Sequence, residues 1–464
     1  MLQSKVSIST DSHRLFSHAI VIGGGIAGLL SAQILTKYFD KVTIVERDIL
    51  VSEPYHRRGV PQSHHVHVLL KRGQQILEQV FPGIEADLLK ANVPVIDWTA
   101  DVQWLGTGGC APQFTSGLTT LACSRNLLEL IIRRRLAAND SIVFMPSASV
   151  VGLLMDVNKT NVDGVRVQLH NKSQISLHSD FIVDASGRNS SAPKWLAEFG
   201  YPVPQETIVD SFSGYASRWY ERPDSLSSEW KCLYVDAKSP STRSAVIYPA
   251  ENDRWIVTLA GAGRDYPPTE ESEFLSFARG LHSSVLSKAI KEAKPVSSIC
   301  AYRGMANRLR HYEKCSRFPG HFVIVGDAVC SFNPVYGQGM TVAASAALIL
   351  DYCLKHRSSK QHNQILAGLS QDFQKKLSRE ISKSWYMTTG EDFRWPETKG
   401  KTPTLATQFT QLYMERVLSL SVESEYAHQC FLEVMHRVKP FSTLFHPRIS
   451  TQVLKQTITQ QKKK

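Results

Sequence analysis

The chain has 464 residues, more than a usual single domain, so two or three closely packed domains are expected. A composition of 42% hydrophobic and 20% charged residues is globular and excludes a fibrous or wholly disordered chain. Disorder is expected only in the polar first dozen residues and the tail 460–464. The formal charge of +11 is scattered, and short runs such as Arg133-Arg134-Arg135 read as solvated helix faces, so no nucleic-acid partner is expected.

In chain order, Ala19 to Ile22 reads as a short buried strand and Leu29, Leu30, Ile34 and Leu35 as the apolar face of the helix after it. Between them lies Gly23-x-Gly25-x-x-Gly28. Gly23 permits the tight turn, Gly25 lets a pyrophosphate approach the backbone, and Gly28 lets helix pack on strand. A second strand, Val42 to Val45, ends in Glu46, eighteen residues beyond Gly28, where a ribose-binding acid belongs. The order strand, glycine turn, helix, strand, acid predicts a site for FAD or NAD(P).

His64-His65-x-His67 has no nearby Cys or acidic set to complete a metal site, so it reads as a loop group and no metal is expected. Ser124 to Leu136 carries a Ser N-cap and helical spacing, followed by strands at Ser141–Phe144, Val150–Met155, Val165–Leu169 and Asp180–Val183. From 205 to 302 the pattern is strand-rich and aromatic, with runs at Tyr215–Tyr220, Lys231–Val235, Ser244–Tyr248 and Arg254–Ala260, as in an antiparallel sheet. Eight cysteines without a CxxC pair read as free thiols of a cytoplasmic protein. No signal peptide or transmembrane segment is expected; the apolar run Met340–Leu350 is too short to span a bilayer. After Ser359 the chain reads as helical, including Gln408–Leu418 and Glu423–Val438.

A second cofactor signal lies at 321–340. Phe322 to Val325 is a strand, Gly326-Asp327 ends it, and Pro334-x-x-Gly337-Gln338-Gly339 leads into the helix from Met340. An aspartate there can accept from a polyol hydroxyl, and a glycine loop at a helix N-terminus can face an anionic ring. Reduced flavin offers both groups, which selects FAD.

These motifs, in this order, resemble the single-component flavoprotein monooxygenase superfamily, of the para-hydroxybenzoate hydroxylase fold. The stretch Arg57-Arg-Gly-Val-Pro-Gln-Ser-His-His-Val-His67, with Gly326-Asp-Ala-Val-Cys-Ser-Phe-Asn-Pro-Val-Tyr-Gly-Gln-Gly-Met340, is similar to bacterial polyether epoxidases of the monensin and lasalocid type and to squalene epoxidase. The fold expected is α/β: a Rossmann-like FAD-binding domain (15–200 and 303–358, with an inserted substrate-side segment at 56–115), an antiparallel-sheet substrate domain (201–302) and a C-terminal helical region (359–464). The resemblance implies that Glu46, in the Glu46-Arg47 pair, binds the adenosine ribose. It further places Arg57 along the pyrophosphate or beside the flavin, Arg125 near the pyrophosphate, Val151 at adenine through its backbone, Asp327 at the ribitol, and Pro334, Gly337, Gln338, Gly339 and Met340 around the isoalloxazine.

The implied activity is insertion of one oxygen from O2 through a flavin C4a-hydroperoxide into an alkene of an apolar polyketide or terpenoid. Aromatic hydroxylation and alkene reduction are the alternatives. Such chemistry needs a dry pocket rather than an acid–base set. Phe212, Tyr215, Trp219 and Tyr248 could wall it, with Trp104 from the inserted segment. The halogenase signature Trp-x-Trp-x-Ile-Pro is absent. Asp184-Ala-Ser-Gly187 replaces the Asp-Gly pair that the superfamily associates with NAD(P)H. NADPH or NADH is therefore expected to deliver electrons through a separate reductase.

Overall fold

Apolar runs alternating with helices build a parallel sheet, because strands and crossover helices bury their apolar faces against each other. In the computed structural model, which describes residues 15–461 except 107, 224–228, 239, 358–364 and 402–403, five strands do so: Phe16–Ile22, Phe39–Val45, Ile142–Met145, Phe181–Asp184 and Phe322–Ile324. Their spatial order is 322–324, 181–184, 16–22, 39–45, 142–145, and every pair is parallel. The strand before the first glycine loop is central, and the strand before Gly326-Asp327 lies two places away. The helices that follow the two loops, Ile26–Leu35 and Gly339–Lys355, pack on each other. Small buried residues, Gly28 and Ala32 on one and Ala343, Ala346 and Ala347 on the other, permit the close approach.

A second, eight-stranded sheet carries Gly214–Glu221, Cys232–Val235, Arg243–Ala250 and Arg254–Gly261. It extends into the earlier segment: Val102–Gly106 pairs in parallel with Cys232–Val235, setting Trp104 opposite Tyr234. Alternation along its strands sorts two environments. Ala245, Ile247, Val257 and Leu259 pack beneath the helices Glu271–Arg279 and Val285–Glu292, with Phe274 and Leu286. Ser244, Val246, Thr258 and Ala260 face the other way, into a cavity. The fold is α/β, with a FAD-binding-type domain, an antiparallel sheet and a helical C-terminal region.

That region comprises Leu369–Asp392, Leu405–Ser421, Glu425–Met435 and Pro447–Gln461. Thr404 and Ser424 set two of the starts by accepting from the N–H of Thr407 and Ala427, at 3.2 and 3.3 Å. Val417, Leu420, Ala427 and Phe431 pack on Trp98 and Trp104, so these helices close the cavity face of the sheet. Two sequence expectations change. Gln460 and Gln461 belong to the last helix, while 462–464 and the first dozen residues lie outside the described residues. Arg133 is buried rather than solvated, because its guanidinium donates to the Val51 carbonyl at 2.9 Å. No helix among the described residues is long and apolar enough to cross a membrane.

Candidate active site

The first glycine loop is shaped by two steric demands. Gly23 sits at φ +99°, which side chains disfavour. At Gly28 a Cβ would stand 1.9 Å from the Gly23 carbonyl oxygen. Gly25 is different: a Cβ there would meet only Arg125 Nη2, at 3.7 Å. Gly25 is also the N-cap of the helix Ile26–Leu35 and no side chain caps its first turn, so those N–H groups remain for a ligand. A cavity of about 350 Å³ lies against this turn, bordered by Gly23, Gly25, Glu46, Arg125 and Asp327.

Glu46 ends its strand and is buried, accepting from the N–H of Gly24 at 2.6 Å and of Asp48 at 2.9 Å. Arg57 reaches it from the inserted segment. Its guanidinium lies 3.4 Å from Glu46, 3.1 Å from Asp48, pairs with Glu129, and donates to the Gly24 carbonyl. Three carboxylates raise its pKa against the cost of burial. Arg57 thus braces the loop from its own bonded cluster, at the Glu46 end of the cavity. Arg125 is less occupied: Nη2 contacts Glu129 at 3.2 Å, while Nε is buried with no partner among the described residues. Arg47 is exposed at the rim and donates to the Gly59 carbonyl at 3.2 Å. Val151 does not border the cavity. A bulge between Val150 and Gly152 leaves it out of the strand ladder and exposed, and Ser149 and Val150 form that wall.

The second loop lies on the opposite side. Asp327 accepts no side-chain hydrogen bond from the described residues; burial raises its pKa, opposed by Arg125, Arg188 and Arg308. Pro334 opens a short turn that ends at Gly337, with φ +65°, and the helix Gly339–Lys355 begins without a side-chain cap. Gly339 and Met340 border the small cavity. Pro334, Gly337 and Gln338, with Val66 and Val68, border both it and a larger cavity of about 1130 Å³. The loop is therefore the partition between the two spaces.

The helix Leu369–Asp392 holds this partition from behind. The Asp392 carboxylate, fully buried, accepts from Asn307 at 2.5 Å, Asn333 at 2.9 Å and the Tyr336 hydroxyl at 2.8 Å. Burial outweighs these donors and pushes it up to about 6. Ser384 donates to Gln338 Oε1 at 3.0 Å. Sequence reasoning assigned no role to Asp392 or Ser384. They follow the loop by some fifty residues at no fixed spacing, and only the helix packing brings them to it.

Tyr215 and Trp104 line the large cavity as expected from the sequence, whereas Phe212, Trp219 and Tyr248 do not. Phe212 lies outside the sheet at φ +49° under the Arg264 guanidinium. Trp219 shares the Tyr215 face but stands four residues, about 13 Å, further along. Tyr248 is wholly buried in core. The opposite wall comes from the C-terminal helices, through Met387, Met414, Leu418, Phe431 and Met435. At the junction, His65 Nδ1 lies 2.8 Å from Ser217 Oγ, which lies 2.6 Å from Thr258 Oγ1, and Tyr215 stacks edge-on at 4.2 Å. Burial lowers the His65 pKa to about 3 and keeps the ring neutral.

The residues present fit a flavin dinucleotide. An uncapped helix start at Gly25 and an unpartnered Arg125 Nε border one space with Ser186, and the Asp327 carboxylate, which no described side chain bonds, lies on its wall. Asp184 sets the Ser186 turn, accepting from the Ser186 N–H at 2.9 Å and Ser190 Oγ at 2.5 Å. The chain belongs to the FAD binding domain family, whose pattern matches residues 17–366. Among curated relatives it is 33% identical over 368 residues to Protein Rv3254 of Mycobacterium tuberculosis, covering 76% of each chain. It is 23% identical over 370 residues to the FAD-dependent monooxygenase asqG of Emericella nidulans, covering 74% of this chain and 60% of that protein. In fold it is similar to the flavin-dependent brominase Bmp2, with a TM-score of 0.64 at 15% identity over 97% of this chain and 100% of that one. It is also similar to pqsL, a probable FAD-dependent monooxygenase of Pseudomonas aeruginosa, with a TM-score of 0.60 at 16% identity over 82% and 99%. The fold is thus one used by FAD-dependent monooxygenases and halogenases.

Proposed function

We propose that this protein is an FAD-dependent monooxygenase that epoxidises an alkene in a largely apolar substrate, such as a polyketide or terpenoid. The observation that carries the reading is the shared wall: an apolar cavity of about 1130 Å³ meets the dinucleotide cavity across Pro334, Gly337 and Gln338. Bound FAD, once reduced, supplies an electrophilic oxygen atom taken from O2. The chain's residues hold and shield it. Glu46 receives the adenosine ribose, Arg125 and the Gly23–Gly28 turn the pyrophosphate, Asp327 the ribitol, and Pro334 to Met340 the ring.

Asp392 and Ser384 fix the ring-side loop, and the Met- and Leu-rich helices exclude water from the reacting face. Among the described residues, the carboxylate nearest the partition, Asp392, is already engaged by Asn333 and Tyr336, and burial makes His65 a weak base there. Electrons come from NADPH or NADH, in our reading through a partner reductase, since Ser186 and Gly187 occupy the turn where an Asp-Gly pair is associated with direct reduction.

A competition decides the substrate class. The photoreduced holoenzyme, given a terpenoid triene and a simple phenol together in air, returns an epoxide and untouched phenol. Hydroxylated phenol with intact alkene replaces epoxidation by aromatic hydroxylation, and a saturated alkene formed without O2 replaces it by reduction. Slow bleaching of the flavin by NADPH alone, accelerated by an added reductase, supports the electron route; rapid bleaching by NADPH alone overturns it.

A further inference from the structure

The large cavity is apolar along most of its wall, yet one carboxylate opens into it. Asp236 follows the strand Cys232–Val235 and its N–H donates to the Leu105 carbonyl at 2.9 Å, which fixes the backbone. The Trp104 indole N–H donates to Oδ2 at 2.7 Å, and Trp104 is itself stacked on Tyr234 at 5.0 Å. Oδ1 receives no hydrogen bond from the described residues, and Asp236 lines the cavity. Burial raises this carboxyl to about 6. A carboxylate in apolar surroundings is costly unless a donor reaches it.

No cation among the described residues fills that need. Arg394 is the cation felt at Asp236, but it lies 2.9 Å from Glu391 and 4.0 Å from Glu415. Lys383 and Arg437, also on the wall, are each paired with Glu380. Arg72 and Lys439 line the wall as well, Lys439 paired with Glu433, and among the described residues none of these cations bonds Asp236, which leaves one acceptor oxygen open.

We propose that Asp236 is the polar anchor of the substrate site, accepting a hydrogen bond from a hydroxyl or protonated amine at one end of an otherwise apolar substrate. The Trp104 indole orients the carboxylate, leaving Oδ1 for the ligand. The anchor fixes how far along the cavity each double bond lies from the partition at Pro334, so it sets which bond reacts. A carboxylate-terminated analogue has no proton to donate and gains nothing from the anchor. This rests on the reading that the large cavity holds the substrate.

The test uses oxidised holoenzyme, so it needs no turnover and stands apart from the epoxidation assay. Farnesol, farnesylamine, farnesoic acid and the parent hydrocarbon are titrated at about pH 8, where this carboxyl is ionised, and binding is read from the shift of the flavin visible spectrum. Expected is binding of the alcohol and amine at least about tenfold tighter than of the acid or hydrocarbon. Asp236→Leu abolishes that margin while the hydrocarbon binds as before. Asp236→Asn keeps the alcohol within about threefold, because with the amide oxygen held by the Trp104 indole the amide N–H donates to the alcohol oxygen, but loses the amine, which has only protons to offer. Flavin content and the unfolding midpoint of each variant confirm folding. Unchanged alcohol and amine affinities in Asp236→Leu, tight binding of the acid, or no spectral response to any of the four would overturn the proposal. A phenol hydroxylated in the competition assay above would leave this anchor intact and remove only the epoxidase reading.

Discussion

The two cavities on either side of the Pro334–Gln338 partition are built on opposite plans. The dinucleotide side is local: two strand–loop–helix units supply glycines whose role is backbone approach, and each unit is one continuous segment, Phe16–Leu35 and Phe322–Lys355. The substrate side is assembled from four distant pieces: the His65–Leu70 segment, the strand around Trp104, the alternate residues of the large sheet, and three C-terminal helices. Local chemistry of the first kind leaves a fixed spacing in the sequence. Convergence of the second kind leaves only periodicity, which states that a face is apolar and not what it covers. The two sides should therefore break differently.

The largest difference is expected at the glycines. Gly28→Val drives a side chain into the Gly23 carbonyl and should cost the protein both its flavin and its fold, read as loss of visible absorbance and of a cooperative unfolding transition. Gly25→Ala, where the space is open except for Arg125, should fold normally and lose flavin affinity alone. Equal damage from both would erase the distinction between packing glycine and ligand glycine.

Next in size is Asp392→Ala, which leaves the Asn307 and Asn333 amides and the Tyr336 hydroxyl without their acceptor. Each orphaned donor costs about 1–3 kcal/mol. A drop of the unfolding midpoint together with an altered flavin visible spectrum is expected, since the loss falls on the ring-side loop. A variant with wild-type stability and spectrum would show that the C-terminal helix does not support the loop.

Asp327→Ala should do the reverse: apoprotein stability is unchanged or higher, because a half-buried carboxylate without donors is removed, while FAD dissociates at least about tenfold more readily. Flavin titration into apoprotein measures it. An unchanged dissociation constant removes Asp327 from the ribitol site.

The smallest effect is a pH dependence on the substrate side. Burial lowers the pKa of His65 and His436 from 6.5 to about 3 each. The unfolded chain binds protons at these positions below about pH 6.5 and the folded chain does not, so stability falls as pH drops from there toward 3. His436 Nδ1 accepts from the Lys71 N–H at 3.1 Å and its Nε2 is unpartnered among the described residues. His436→Gln should flatten the fall in unfolding midpoint between about pH 6.5 and 4.5. A slope unchanged by this substitution would mean that His436 is protonated in the folded protein.

Legibility in the sequence follows the same division. Four of the five parallel strands are readable because each is a short apolar run ending at a glycine or an acid, and Ser124 marks its helix by accepting from the Leu127 N–H at 3.1 Å. The sheet strands were readable from alternation, as at Ser244 to Tyr248. Val151 lies beside the cavity wall rather than on it, because a bulge shifts the strand there without a sequence mark. Of the aromatic residues that could wall the cavity or pack as core, Phe212, Trp219 and Tyr248 lie off it, because an aromatic residue suits core and cavity equally and the sequence does not choose. Asp392 and Asp236 were invisible: a carboxylate buried by a helix or strand from elsewhere looks in sequence like any surface acid.

The shared wall between the cavities is tested most directly by isotope. Holoenzyme reduced anaerobically, then exposed to labelled dioxygen with a terpenoid polyene, should yield a product one labelled oxygen heavier, in an amount that approaches the enzyme's flavin content. Product that carries oxygen from water, product formed without dioxygen, or flavin reoxidised to peroxide with the polyene unchanged would contradict it.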